Sequence, residues 1–113
     1  MFNNFSRIGS LLLVINILAF SVFAQTGGLP RMRKGESYRS VRVKMIKAGW
    51  KPYHAPDADK CQKGDSRCQG RPEMQNCAGT GVAACRFLWK RKGKNVVIFT
   101  SGENAIYDGY EFE

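Results

Sequence analysis

Histidine, acidic residues and long apolar runs are all scarce in this chain, and each scarcity narrows what it can do. Of 113 residues one is histidine, His54. It stands beside Tyr53 and between Pro52 and Pro56, a turn context in which a lone imidazole is more often a surface group than a general base. No serine lies in a G-x-S-x-G elbow, and Ser101 follows an apolar run in a Thr-Ser-Gly-Glu turn. Gly79-Thr80-Gly81 lacks the Gly-Lys-Ser/Thr ending of a phosphate-binding loop. Laid on the calcium-loop template from Asp57, the chain has Gln62 where glycine is needed and Cys68 where a bidentate glutamate is needed. Nor do the cysteines follow a C-x2-C spacing, which argues against zinc and against thiol redox chemistry. No catalytic residue, metal or cofactor is expected.

The longest apolar stretch, Leu11 to Phe23, is interrupted only by Asn16 and Ser21. At about 13 residues it is too short for a spanning helix, which needs about 20. With Arg7 before it and Val22-Phe23-Ala24 placing small residues at −3 and −1, residues 1–24 read as a cleaved export signal. The product is then a periplasmic or secreted protein with no transmembrane span, and without a cysteine at the cleavage point it has no lipid anchor.

Export decides the chemistry of Cys61, Cys68, Cys77 and Cys85, which are even in number and would meet an oxidising compartment. Two disulfides are expected. Pairing of near neighbours, Cys61 with Cys68 and Cys77 with Cys85, is preferred over a nested arrangement. Staples suit a mature chain of about 89 residues, near the size at which one apolar core gives only marginal stability.

Acids are outnumbered two to one, 9 Asp and Glu against 18 Lys and Arg. Losing Arg7 with the signal leaves 17 bases against the same 9 acids, a formal charge of about +8. Such a balance points to an acidic partner. The bases fall in three clusters: Arg31, Arg33 and Lys34; Arg39, Lys44 and Lys47; and Lys90, Arg91, Lys92 and Lys94. They form one field only if the third cluster folds beside the first.

Residues 25–36, with Gly27-Gly28 and Pro30, read as a flexible basic arm, and 37–113 as one small domain. Tyr38, Val41, Met45 and Ala48 recur at i, i+3, i+7 and i+10, one stripe of a helix with Ser37 as N-cap and Gly49 as its stop. An alternation of Val41, Val43 and Met45 with charged residues offers a strand as the weaker alternative. Trp50 to Tyr53 suits a short edge strand limited by Pro52. From Asp57 to Ala84 no period holds, and the cysteines supply the reason for order. Arg86 to Trp89 and Asn95 to Thr100 flank a five-residue connection, Lys90 to Lys94, and a third strand runs from Ala105 to Phe112. Val96, Ile98 and Thr100 share one face and Val97 and Phe99 the other. The expected architecture is α+β, a helix packed on a three-stranded antiparallel meander with a disulfide-stapled loop. Trp50 and Trp89 are expected in the core.

Arg33-Lys34-Gly35 leading the helix, Val41 on its stripe, Ala48-Gly49-Trp50-Lys51-Pro52 at its exit and the closing strands together resemble small envelope domains of the SmpA/OmlA (BamE) type and the related β-lactamase-inhibitor-protein-like fold. Two departures are plain: the lipobox cysteine is absent, and Asp57 to Cys85 has no counterpart in that pattern. The resemblance implies a bacterial periplasmic binding or scaffold module and does not transfer a partner. With the charge, it leads to the expectation of a non-enzymatic protein that recognises an acidic protein surface or an anionic envelope lipid or polymer. The alternative is an immunity or inhibitor protein that blocks a toxin or hydrolase. Nucleic acid is a less natural ligand, because no nucleic-acid module signature accompanies the basic residues.

Overall fold

A computed structural model describes residues 28–113. The export signal expected over 1–24 and residues 25–27 of the arm lie outside the described residues. The helix, α1, spans Tyr38–Lys47. It forms where the sequence offers both a cap and a stop. Ser37 is extended and its hydroxyl accepts from the Ser40 N–H at 3.2 Å, while Gly49 turns the chain at φ +90°. Tyr38, Val41 and Met45 are buried as the stripe requires, and Lys44 and Lys47 in the last turn complement the helix dipole. The strand alternative is thereby excluded.

Five antiparallel strands form one sheet: β1 Lys51–Pro52, β2 Met74–Cys77, β3 Cys85–Arg91, β4 Lys94–Ser101 and β5 Ile106–Phe112. The expected meander is β3, β4 and β5. Beyond it, β1 and β2 share the outer edge of β3, with Lys51 and Pro52 opposite Lys90 and Trp89, and Cys77 opposite Cys85. The connection between β3 and β4 is two residues rather than five. Lys92 and Gly93 both have positive φ, +48° and +77°, and Arg91 pairs with Lys94 across the ladder. A run of charges looks like a loop in sequence, but solvent-facing strand ends tolerate charge, so Lys90, Arg91 and Lys94 belong to strands.

A register shift in β5 opposite Phe99 and Thr100 brings Tyr107 and Tyr110 onto one face despite their odd spacing. That face carries the main core, in which Tyr38 stacks on Phe87 at 3.8 Å between ring centroids and Trp50, Trp89, Val96 and Ile98 are buried. The other face has a smaller cluster of Ala55, Leu88 and Val97, edged by Tyr53 and Phe99.

The arm, expected to be mobile, is held from Gly28 onward. Leu29 is buried, the Trp50 indole N–H donates to the Gly28 carbonyl at 3.1 Å, and the Tyr107 backbone N–H donates to the Glu36 carbonyl at 2.7 Å. Two apolar residues, Leu29 and Met32, suffice to dock a segment that otherwise reads as polar.

Both disulfides are the near-neighbour pairs, Cys61–Cys68 and Cys77–Cys85. Arg67 couples the two stapled loops. Its guanidinium forks onto Asp65 at 2.8 and 2.7 Å and also donates to the Ala78 and Ala83 carbonyls. The Arg67 side chain, with its backbone N–H, outweighs partial burial and holds the Asp65 carboxyl below the usual carboxylate range.

Candidate functional site

The arm runs beside α1 from the hairpin end of the sheet to the start of the helix. Gly28 touches the Arg91 side chain, Lys44 Nζ donates to the Arg31 carbonyl at 3.0 Å, and Gly35 meets Tyr107. This path lays the arm's cations beside Lys44 and Gly28 beside Arg91, whereas Lys90, the preceding residue of β3, projects to the other face, where Tyr53 lies. Arg31, Arg33, Lys34 and Lys44 line a shallow cleft of about 410 Å³ together with Glu36. Lys90, Arg91 and Lys92 line a second, of about 380 Å³, with Lys51 between the glycines 49 and 93. Lys94 lies opposite Arg91 in the ladder, and Lys47 sits in the last helical turn just before Gly49. Arg39, near the opposite end of α1, lines neither cleft.

The clefts differ in their balance of charge. In the first, Lys44 pairs with Glu36 at 2.7 Å and Lys34 reaches Asp108 at 3.8 Å in an exposed contact that contributes little. In the second, no cation pairs with an acid among the described residues. Lys90 Nζ instead lies 3.9 Å from the centre of the Tyr53 ring. The second cleft therefore carries four cations without an acid partner among the described residues, and the first carries two, Arg31 and Arg33.

Partial burial by itself raises the Glu36 carboxyl, but hydrogen bonds from Lys44, Ser40 and the Arg33 N–H outweigh it and bring its pKa from 4.5 down to about 2. A depressed carboxylate stabilises the fold above its unfolded pKa, and that contribution disappears as pH falls through the folded value. Thermal melts should therefore show stability falling between about pH 4.5 and 2. Glu36→Gln should lower Tm by roughly 5 °C at pH 7 and flatten that slope. An unchanged slope would mean that the pairs at Glu36 do not hold the arm.

The other candidate residues are not assembled for chemistry. His54 is exposed, and its Nδ1 lies 3.0 Å from the Pro72 carbonyl. Asp65, Cys68 and Cys77 converge, yet both cysteines are in disulfides and Asp65 is engaged by Arg67. Trp50 and Trp89 are core residues, 2% and 0% exposed, and are not available for stacking on a ligand.

Two features escaped the sequence. Lys51 joins the hairpin cluster only because β1 pairs with β3. Glu73, 0% exposed, accepts from the Tyr38 hydroxyl at 2.8 Å and from Arg42 Nε at 2.6 Å and Nη2 at 3.2 Å. Trp89 Nε1 donates to the same hydroxyl at 3.1 Å, and Arg71 lies 4.9 Å from the centre of the Tyr38 ring. Burial, then the Glu73 charge and hydrogen bond, push the Tyr38 phenol well above its ordinary range. The Arg42 guanidinium is likewise raised, chiefly by its hydrogen bond to Glu73. The group is closed on itself and supports the core. No helix among the described residues is long and apolar enough to cross a membrane. No protein-family model, no curated protein and no solved structure matches this chain.

Proposed function

We propose that this chain is an exported, non-enzymatic binding protein that docks an anionic component of the cell envelope. One observation carries the reading: cations of the arm, of α1 and of the hairpin end line two clefts, and in the cleft at the hairpin end none is paired with an acid among the described residues. Two disulfides suit an oxidising compartment. The likeness of Arg33 to Pro52 to BamE-type domains fits an envelope setting.

Each basic side chain close to an anionic surface contributes about 1 kcal/mol at moderate salt. Several acting together give measurable, salt-sensitive attachment. The protein should sediment with vesicles containing phosphatidylglycerol, fail to sediment with pure phosphatidylcholine, and lose at least tenfold in partitioning between about 0.05 and 0.5 M NaCl. Sedimentation independent of salt, or none with either vesicle, would overturn the electrostatic reading.

The immunity or inhibitor reading draws on a different surface. Tyr110 and Phe112 are 47% and 41% exposed on the edge strand β5, and aromatic side chains at an open edge suit a protein partner. That reading expects a stoichiometric protein complex that survives the same high salt.

A further inference from the structure

The hairpin end is built at a cost to stability, and the cost has one electrostatic sense. Lys51 and Lys90 are directly opposed across β1 and β3, and Arg91 and Lys94 are directly opposed across β3 and β4. Like charges in such positions destabilise a sheet. Lys92 occupies the first position of a turn that requires positive φ, where asparagine, aspartate or glycine would be less strained. Two cross-strand pairs and one turn position thus carry cations where other residues would fold better.

Arg91 adds organisation. Its guanidinium lies beside Gly28, where a Cβ would come within 2.3 Å of Nη1, and beside Gly49, where a Cβ would come within 3.3 Å of Nε. Both glycines have φ near +90°. Each leaves room that a side chain would fill, so the fork is positioned by packing and not by a carboxylate. A guanidinium positioned by packing, with ammonium groups around the same cavity, suits a phosphate, the guanidinium by its N–H donors and the lysines as point charges.

We infer that the concavity bounded by Lys51, Lys90, Arg91 and Lys92 is a binding site for a phosphate-type polyanion. The inference deepens the envelope reading and rests on it for the ligand's source, which is a lipid headgroup or a soluble phosphate. Lys90 and Lys51 reach this concavity from one face of the sheet and Arg91 from the other, with Lys92 at the turn, and four cations around one cavity favour a ligand with two or more negative charges over a monoanion. The like-charge repulsion between Lys51 and Lys90 is relieved when the anion binds, so affinity and stability are opposed at this site.

The test titrates the oxidised protein with pyrophosphate at about 0.02 M NaCl, following backbone amide shifts, and repeats the vesicle assay. Expected are saturation near one equivalent, with the largest shifts at Lys92 and Gly93. Lys51→Glu should weaken pyrophosphate at least tenfold while raising Tm at low salt, because it turns a repulsive cross-strand pair into an attractive one. That combination excludes misfolding as the cause. Lys63→Glu, the same charge change on an exposed position of the stapled loop, should change affinity less than twofold. Equal weakening by Lys63→Glu, or no saturable shift at the hairpin, would overturn the site. If pyrophosphate and vesicle binding are both lost in Lys51→Glu, the site stands with a lipid headgroup as its source. Saturable pyrophosphate binding without vesicle binding also leaves the site standing, with a soluble phosphate as source, and removes the vesicle reading. Vesicle binding unaffected by Lys51→Glu, without pyrophosphate binding, keeps the envelope reading and removes the site.

Discussion

Glu73→Gln should destabilise the protein by about 3–5 kcal/mol, the largest effect expected of any single polar substitution in the domain. The Glu73 side chain is fully buried, so it cannot turn to water when its charge is removed. Two donors converge on its Oε2, the Tyr38 hydroxyl and Arg42 Nε, and Arg42 Nη2 reaches Oε1. A glutamine keeps the shape, but its N–H2 stands either at the Oε2 position, facing both the phenol and Arg42 Nε, or at the Oε1 position, facing Arg42 Nη2, and in each case a donor loses its acceptor. Arg42 is 27% exposed and can recover some hydration by rotating outward. Tyr38, with no exposed surface, cannot. The sign of the coupling is testable by urea denaturation of the two single variants and the double variant Arg42→Leu/Glu73→Leu. The double variant should be more stable than Glu73→Gln, because removing both charges eliminates the uncompensated guanidinium and leaves only the neutral Tyr38 hydroxyl without its acceptor. Equal stability of Glu73→Gln and the native protein would show that the pair contributes nothing beyond its volume.

Glu73 also illustrates where sequence reading stopped. The chain's local signals reach about four residues. Ser37 with Gly49, and the stripe of Tyr38, Val41 and Met45, therefore located α1 to within a residue. The alternation Val96 to Thr100 likewise assigned both faces of β4, and the near-neighbour disulfides are the pairing preferred for a chain expected to be exported. What failed was nonlocal. Tyr38 and Glu73 are 35 residues apart, and nothing near Glu73 distinguishes it from the exposed acids until β2 is laid against β3. β2 itself, Met-Gln-Asn-Cys, has no apolar alternation. Its order comes from the Cys77–Cys85 bond at a ladder position and from the Leu88 N–H donating to the Glu73 carbonyl.

The basic residues show the same division. Their identity is plain in the sequence, and three clusters were named from it. Which of them matter depends on pairing: β1 delivers Lys51 to Lys90, the docked arm carries Gly28 to Arg91, and Glu36 neutralises Lys44. A list of cations cannot separate a partly neutralised cleft from an unneutralised one. Geometry separates them because the acids lie on particular elements: Glu36 where the arm meets α1, and Asp108 on β5 opposite Lys34.

Removal of the disulfides should have the second large effect, and in combination it should unfold the protein. Each bond closes a short loop, with separations of 7 and 8 residues, for which chain entropy alone gives about 2.5 kcal/mol. Their packing adds to this. Cys85 and Cys68 are 0% and 3% exposed and belong to the main core, so alanine at either site also opens space against neighbours that include Met74 and Phe87. Cys77→Ala/Cys85→Ala should cost more than Cys61→Ala/Cys68→Ala. The former bond clamps β2 to β3 and so holds Glu73 against Tyr38 and Arg42, whereas the latter closes a surface loop that Arg67 also secures. Together the two losses come to about 5 kcal/mol before any packing loss, the whole of what a domain this small commonly has. Circular dichroism melts in oxidising buffer should show each double variant folded, with Tm lower by about 10–20 °C. The same buffer with a phosphine reductant should abolish the native protein's transition at 37 °C. A reduced protein that still melts cooperatively above 50 °C would mean that α1 and the meander hold without their staples, and that the export compartment is not what keeps this fold together.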